Sequence, residues 1–245
     1  MAQAIEQAIE KGTHLVAEAG TGTGKTFAYL IPAILSNKKT IVSTGTRNLQ
    51  DQIYEKDFPL IRDALKVPVQ AAVLKGRSNY LCLYRLEQAQ IQTAGFDRAL
   101  QTELEHIQSW SKRTHEGDIV EVSAVAEDSP VWSQVTSTAD NCIGQDCPMV
   151  AECYPLNARK RAQEVDILIV NHHLLCADWS LKDDGFGQLL PEAELIIIDE
   201  AHQLVDTASR FLGISLSARQ ILALMSDISA EQLKVASDMP ALIDL

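Results

Sequence analysis

Ala19-Gly20-Thr21-Gly22-Thr23-Gly24-Lys25-Thr26 is the stretch on which the fold turns. It follows a short apolar run, His14–Ala17, that reads as a strand. It precedes Phe27–Leu35, which reads as a helix kinked at Pro32. A glycine-rich turn between strand and helix, closed by Lys-Thr, fits the phosphate-loop pattern, with Ala19 where the first glycine usually stands. The glycines let backbone N–H groups turn inward around phosphate oxygens, and the following helix offers its positive dipole end to the same anion. Ala19 to Thr26 are therefore the predicted ATP-binding residues. Lys25 is the cation on the outer phosphates and Thr26 the hydroxyl ligand of Mg²⁺. The plain alternative, a glycine-rich turn without a ligand, does not explain the strand–loop–helix setting.

Outward from the loop, strands alternate with helices. Ala2–Lys11 has a helical repeat ending at Gly12, Thr40–Ser43 is a second strand, Leu49–Lys56 a second helix and Gln70–Leu74 a third strand. This rhythm predicts an α/β fold with a parallel sheet covered by helices on both faces. It breaks after Lys75. Leu81–Gln92 and Arg98–Trp110 read as amphipathic helices, and Lys112 to Asn141 is polar without clear periodicity. The α/β rhythm returns in the fully apolar runs Asp166–Val170 and Leu195–Ile198, typical of central parallel strands. The expected organisation is a first motor part over residues 1–80, an insertion over 81–164, a second motor part over 165–202, and a helical segment from 203 to 245.

The run Leu195–Ile198 ends in Asp199-Glu200-Ala201-His202. Two carboxylates at the end of a buried strand suit a metal box. Asp199 would hold Mg²⁺, and Glu200 would orient or deprotonate the attacking water. Acids at a helix start can also simply favour the dipole, a reading the phosphate loop makes the weaker one. His202 either couples the nucleotide to a second site or caps the turn.

Composition narrows the class. The chain has 245 residues and a formal net charge of −12, which argues against a generic basic nucleic-acid coat. Charge is uneven: nine acids face three bases from Pro191 onward, whereas Lys38-Lys39, Lys75 with Arg77, Lys112-Arg113 and Arg159-Lys160-Arg161 form basic clusters earlier. No apolar run approaches the roughly 20 residues of a membrane helix, and no secretory signal is visible, so a cytoplasmic protein is expected. The 5 cysteines are an odd count that disfavours a disulfide framework. Cys142-x4-Cys147-x5-Cys153, with Cys82 upstream, asks for a metal. These spacings are wider than zinc knuckles and suit an iron–sulfur cluster at least as well.

The metal box and phosphate loop together resemble a superfamily 2 helicase. Ser43-Thr44-Gly45-Thr46-Arg47-Asn48-Leu49-Gln50-Asp51-Gln52 is similar to the helicase motif after the second strand, which touches one strand's phosphate backbone. The order of phosphate loop, Lys75-Gly76-Arg77-Ser78-Asn79-Tyr80-Leu81-Cys82, three clustered cysteines, Val170-Asn171-His172-His173-Leu174-Leu175 and Asp-Glu-Ala-His resembles the XPD/DinG-like iron–sulfur helicases, closest to the bacterial YoaA branch. The resemblance covers nearly the whole chain. It implies a RecA-like motor with an inserted, mainly helical iron–sulfur domain and a 4Fe–4S cluster on Cys82, Cys142, Cys147 and Cys153. It also implies 5′→3′ movement on single-stranded or forked DNA in repair or replication, as a monomer, with replication and repair proteins as further partners.

Candidate DNA contacts are Thr44, Thr46, Arg47, Lys75 and Arg77, while Cys176 reads as a core thiol. Asn171 and His172 belong to the family pattern without derivable chemistry. Such helicases also have a second motor domain with arginine fingers and an upstream adenine-reading Gln, whose motifs do not occur here. The chain is therefore expected to be an N-terminal fragment, ending at the start of an arch-like insertion and inactive alone. Rival readings are a DNA-binding regulator with a degenerate motor, or another phosphate-loop enzyme with a structural zinc.

Overall fold

The computed structural model describes residues 1–20, 22–91, 98–183 and 188–213. Chain entry is the helix α1 (Ala2–Lys11), whose C-cap Gly12 takes the left-handed conformation at φ 63°. The phosphate loop leads into α2 (Lys25–Leu35), which starts earlier than its apolar pattern indicates and runs on through Pro32. Strand β1 (Thr40–Thr44) follows, then α3 (Arg47–Gln52), a wide turn over Ile53–Asp57 and α4 (Phe58–Leu65). The helix expected over Leu49–Lys56 is thus the middle of a longer, irregular helical run. Thr46 opens it by accepting the Leu49 N–H on its hydroxyl.

Strand β2 (Ala71–Val73) closes this part. Beyond it come α5 (Leu83–Ile91), α6 (Arg98–Ser111), α7 (Val131–Val135) and α8 (Tyr154–Glu164). The sheet resumes with β3 (Ile167–Asn171), α9 (His172–Asp183), β4 (Leu195–Ile198) and α10 (Leu204–Leu212). Residues 214–245, most of the expected arch-like segment, lie outside the described residues, as does Gln92.

All four strands are parallel, in the order β2-β3-β1-β4. Alternate side chains serve opposite faces, as the pleat requires. Val42, Ile167 and Ile169 pack with Tyr29, Leu30 and Ile34 of α2 and with Phe58 and Ile61 of α4. Ile41, Leu168 and Val170 pack on the other face with Ala158 and Ala162 of α8 and Leu175 of α9. Cys176 is buried in α9, and burial pushes its thiol pKa up, as befits a core thiol.

One expectation is corrected. His14–Ala17 forms no strand: Val16 is 99% exposed, and among the described residues β4 pairs only with β1, leaving its outer edge free. An apolar tetrapeptide without a hydrogen-bonded neighbour has nothing to hold it extended. Lys112–Asn141, expected to be polar without clear periodicity, supplies apolar residues to a core. Ile119, Val122, Val125, Val131, Trp132 and Val135 join Leu86, Leu104, Ile107 and Trp110 in an apolar core separate from the sheet. The Trp132 indole N–H donates to the Ala126 carbonyl at 2.8 Å, and that of Trp110 to Glu121 at 3.0 Å.

Candidate nucleotide and cysteine sites

At the C-terminal end of the sheet the loop meets the metal box. Gly22 and Gly24 hold φ values of 73° and 80°, which side chains rarely adopt, and open space surrounds both. The Thr23 hydroxyl donates to the Gly20 carbonyl at 2.8 Å, folding the loop on itself, while Thr21 lies outside the described residues. Gly24 is the N-cap of α2, so the helix dipole points its positive end into that open space.

Lys25 Nζ meets Glu200 Oε1 at 3.0 Å. The hydrogen bond that Lys25 donates to Glu200, with the Asp199 charge behind it, raises the Lys25 pKa, so the ammonium stays charged. Asp199 is set by the sheet: its N–H donates to the Ser43 carbonyl at 2.8 Å. Glu200 then takes a left-handed backbone at φ 52°, an unusual state for a non-glycine residue and one concentrated at functional sites. His202 Nδ1 lies 3.5 Å from Glu200 Oε2 on the exposed side.

Tyr29 belongs to this site although its sequence context marks it as core. One turn after Lys25, its hydroxyl donates to Asp199 Oδ2 at 3.1 Å and also meets Thr26. Burial, then the Asp199 charge, drive its pKa far above the usual phenol value, so it remains a donor. The i, i+4 relation to Lys25 was the signal available for it. Thr26 and Asp199, the two expected Mg²⁺ ligands, are thus bridged by one phenol.

The candidate DNA contacts separate. Thr46 and Arg47 are exposed, with Arg47 Nη1 donating to Asn79 Oδ1 at 2.7 Å. Thr44 is fully buried and its hydroxyl has no partner. Lys75 turns inward, its side chain 3% exposed, and bridges Asp51 Oδ1 at 2.7 Å and Asp118 Oδ2 at 2.6 Å. Burial works against its charge, but the two carboxylates outweigh it and raise the pKa. In this structure Lys75 ties α3 to the segment before α7, and it presents no ammonium to a strand. Replacing it, as Lys75→Met, strands two carboxylates that keep partial contact with solvent. The expected loss of folding stability is about 2–3 kcal/mol, somewhat less than the roughly 3–5 kcal/mol for breaking a fully buried pair, read as the shift in a denaturant melt.

Arg77 leads to the cysteines. Its Nη1 donates to Cys142 Sγ at 2.6 Å. Cys82, Cys142, Cys147 and Cys153 line one cavity with Leu81, Leu83 and Ile143. Antiparallel bridges Tyr80–Asp118 and Leu81–Thr136 hold the approach to Cys82, whose carbonyl accepts the Leu86 N–H at the start of α5. Cys153 is the N-cap of α8. Two helix N-termini therefore lie beside this cavity. Half-buried Arg159 adds a cation whose pKa is lowered by burial, then by Arg77. Burial raises the Cys82 thiol pKa, and the other three cysteines push the same way. Among the described residues no three Cys, His, Asp or Glu side chains converge tightly enough to hold a single metal ion.

Residues 2–120 match the family model "DEAD/DEAH box helicase", a span that takes in the phosphate loop and stops before the metal box. The chain is 54% identical to the ATP-dependent DNA helicase YoaA of Escherichia coli (strain K12), over 94% of this chain and 36% of that protein. It is 34% identical to the ATP-dependent helicase DinG of Mycobacterium tuberculosis (strain ATCC 25618 / H37Rv), over 97% of this chain and 39% of that protein. It is also 35% identical to the 3′-5′ exonuclease DinG of Bacillus subtilis (strain 168), over 87% of this chain and 23% of that protein. The chain thus spans less than two fifths of the length of these relatives. No helix among the described residues is long and apolar enough to cross a membrane.

Proposed function

We propose, from the match of residues 2–120 to the DEAD/DEAH box helicase model, that this chain is the ATP-binding N-terminal part of an iron–sulfur DNA helicase. The observation that carries this reading is the meeting of Lys25, Thr26, Tyr29, Asp199 and Glu200, drawn from two elements 175 positions apart. The open cradle at Gly22 and Gly24 receives the phosphates, with Lys25 turning from Glu200 to the outer ones. Thr26 and Asp199 hold Mg²⁺, kept in register by Tyr29. Glu200, freed from Lys25, positions the attacking water and accepts its proton.

Cys82, Cys142, Cys147 and Cys153 would hold a 4Fe–4S cluster, which supplies a rigid cross-link and a redox-active centre. A four-iron cube attaches each thiolate to a separate iron, so donors spread around a cavity suit it. Zinc needs all its donors about 2.3 Å from one point. The Arg77 donation to Cys142 and the helix starts at Cys82 and Cys153 favour an anionic group. The inserted cluster domain then spans residues 81–164 of the motor, and DNA runs past the exposed Thr46 and Arg47. Movement is 5′→3′ on single-stranded or forked DNA in repair or replication, a direction supported by the family resemblance.

ATP hydrolysis needs charge stabilisation from a second motor domain, so the 245 residues alone bind Mg–nucleotide and turn it over poorly. Strong DNA-stimulated hydrolysis by these 245 residues is the result that would overturn the fragment reading. The test of the whole is anaerobic purification with iron analysis, visible spectroscopy and nucleotide titration. Brown protein with four irons that binds Mg–ATP is expected, whereas a colourless protein with one zinc favours a different phosphate-loop enzyme. For DNA, affinity should fall with salt, and Arg47→Ala should lessen the log–log slope by about one unit or slightly less. An unchanged slope removes Arg47 from the interface.

A further inference from the structure

Ser43 stands where the two proposed sites of the motor come closest. Its carbonyl accepts the Asp199 N–H at 2.8 Å, and its hydroxyl meets His172 Nδ1 at 2.7 Å. The next residues, Thr44 to Arg47, form the loop assigned to the DNA strand. His172, the first residue of α9, is wholly buried, and among the described residues its Nε2 has no well-aligned hydrogen-bond partner. The backbone of Glu200 and Asp199 already lies within weak hydrogen-bonding reach of the same ring and lifts its pKa against burial, without completing a well-aligned bond to Nε2. Burial lowers the His172 pKa, so the ring is neutral. In the tautomer in which the Ser43 hydroxyl donates to Nδ1, the proton sits on Nε2 and faces the metal-box turn.

A buried N–H left without an acceptor is costly and uncommon, and it is kept where another state of the molecule satisfies it. The turn has a second contact with the loop: a Cβ on Gly45 would overlap the Gln203 carboxamide, so the absence of a side chain at Gly45 lets Gln203 lie on the loop backbone. Glu200, between these two contacts, holds its left-handed backbone while paired to Lys25.

We propose that His172 is a positioning residue that couples the DNA loop to the metal box. It holds Ser43 through Nδ1, and through Nε2–H it takes a backbone carbonyl of Asp199 or Glu200 once Glu200 leaves Lys25. This rests on the helicase reading above. Gln203 against Gly45 is the second link of the same coupling.

The test compares His172→Leu, His172→Asn and His172→Gln in the full-length helicase. Gln keeps a donor near the Nε2 position, whereas Asn reaches only the Nδ1 position. DNA-stimulated kcat should fall about tenfold in the Leu and Asn variants, with KM for ATP nearly unchanged, and return to near wild type with Gln. Equal rescue by Asn and Gln overturns the proposal, as does a lowered melting temperature in His172→Leu with an unchanged kcat. Should the His172 variants fail to fold, Gln203→Ala on the surface decides. It should weaken DNA stimulation and spare the basal rate, and unaltered stimulation overturns the coupling.

A separate readout uses imidazole ¹⁵N NMR of the wild-type protein with Mg–ADP and beryllium fluoride. The His172 Nε2–H should become protected from exchange when the nucleotide binds, and a bound complex with an unprotected proton overturns the proposal. If wild-type protein hydrolyses no ATP, the helicase reading fails while this resonance still decides the role of His172. Failure to bind nucleotide overturns both.

Discussion

In the proposed full-length helicase, Lys25→Ala is expected to abolish ATP-driven strand separation and to lower ATP hydrolysis by about a thousandfold or more. Two effects add. The cradle at Gly22 and Gly24 loses the ammonium that neutralises the outer phosphates, and the α2 dipole alone carries only about half a charge. Glu200 also loses the partner that holds it at 3.0 Å. The measurement is nucleotide titration beside steady-state hydrolysis, with DNA affinity without nucleotide as the control. Retained hydrolysis within tenfold of wild type would place the phosphates elsewhere. Lys25→Arg should not rescue, because a planar fork does not replace a compact ammonium.

On the proposed cluster reading, replacing Cys147 by Ser carries the second large expected effect, loss of iron binding together with strand separation. Cys147 closes the Gly144 turn and opens the next one, accepting the Val150 N–H on its carbonyl at 3.0 Å. Serine keeps that backbone but is a poor ligand for iron. The insert core around Leu86, Ile107, Trp110 and Trp132 does not include Cys147, so helix content should survive. Iron analysis, visible absorption and circular dichroism separate the outcomes. Full iron retention removes Cys147 from the ligand set, and collapse of the helical signal would show that this cysteine is structural first.

Much of the nucleotide site was legible because its chemistry demands residue types at fixed spacing. A glycine-rich turn ending in Lys25-Thr26, and two carboxylates closing an apolar run, leave few other readings. The strand runs were legible through composition, and the alternation of Ile41 and Val42 between opposite faces follows from the pleat. What stayed hidden was tertiary. Lys75 sits in a basic cluster in the sequence, yet its partner Asp118 is 43 positions away, brought over by the fold of the insertion. Tyr29 looks like any buried aromatic until Asp199 arrives beside it. The core between Ile119 and Val135 has no helical or alternating period, because short turns set the directions of its side chains. His14–Ala17 shows the converse: composition supplies the wish for a sheet but not the neighbour.

The unpaired outer margin of β4 has a practical side. Its peptide groups face outward beside Ile196, which is 44% exposed, and the apolar Leu15 and Val16 lie uncovered in the segment that leads to the phosphate loop. Such a margin is a template on which the backbone of a second molecule can crystallise a ladder of its own. Association of these 245 residues through that margin should therefore grow with concentration, and a dilute sample at low salt, where the net charge of −12 holds copies apart, is the one that stays in single copies.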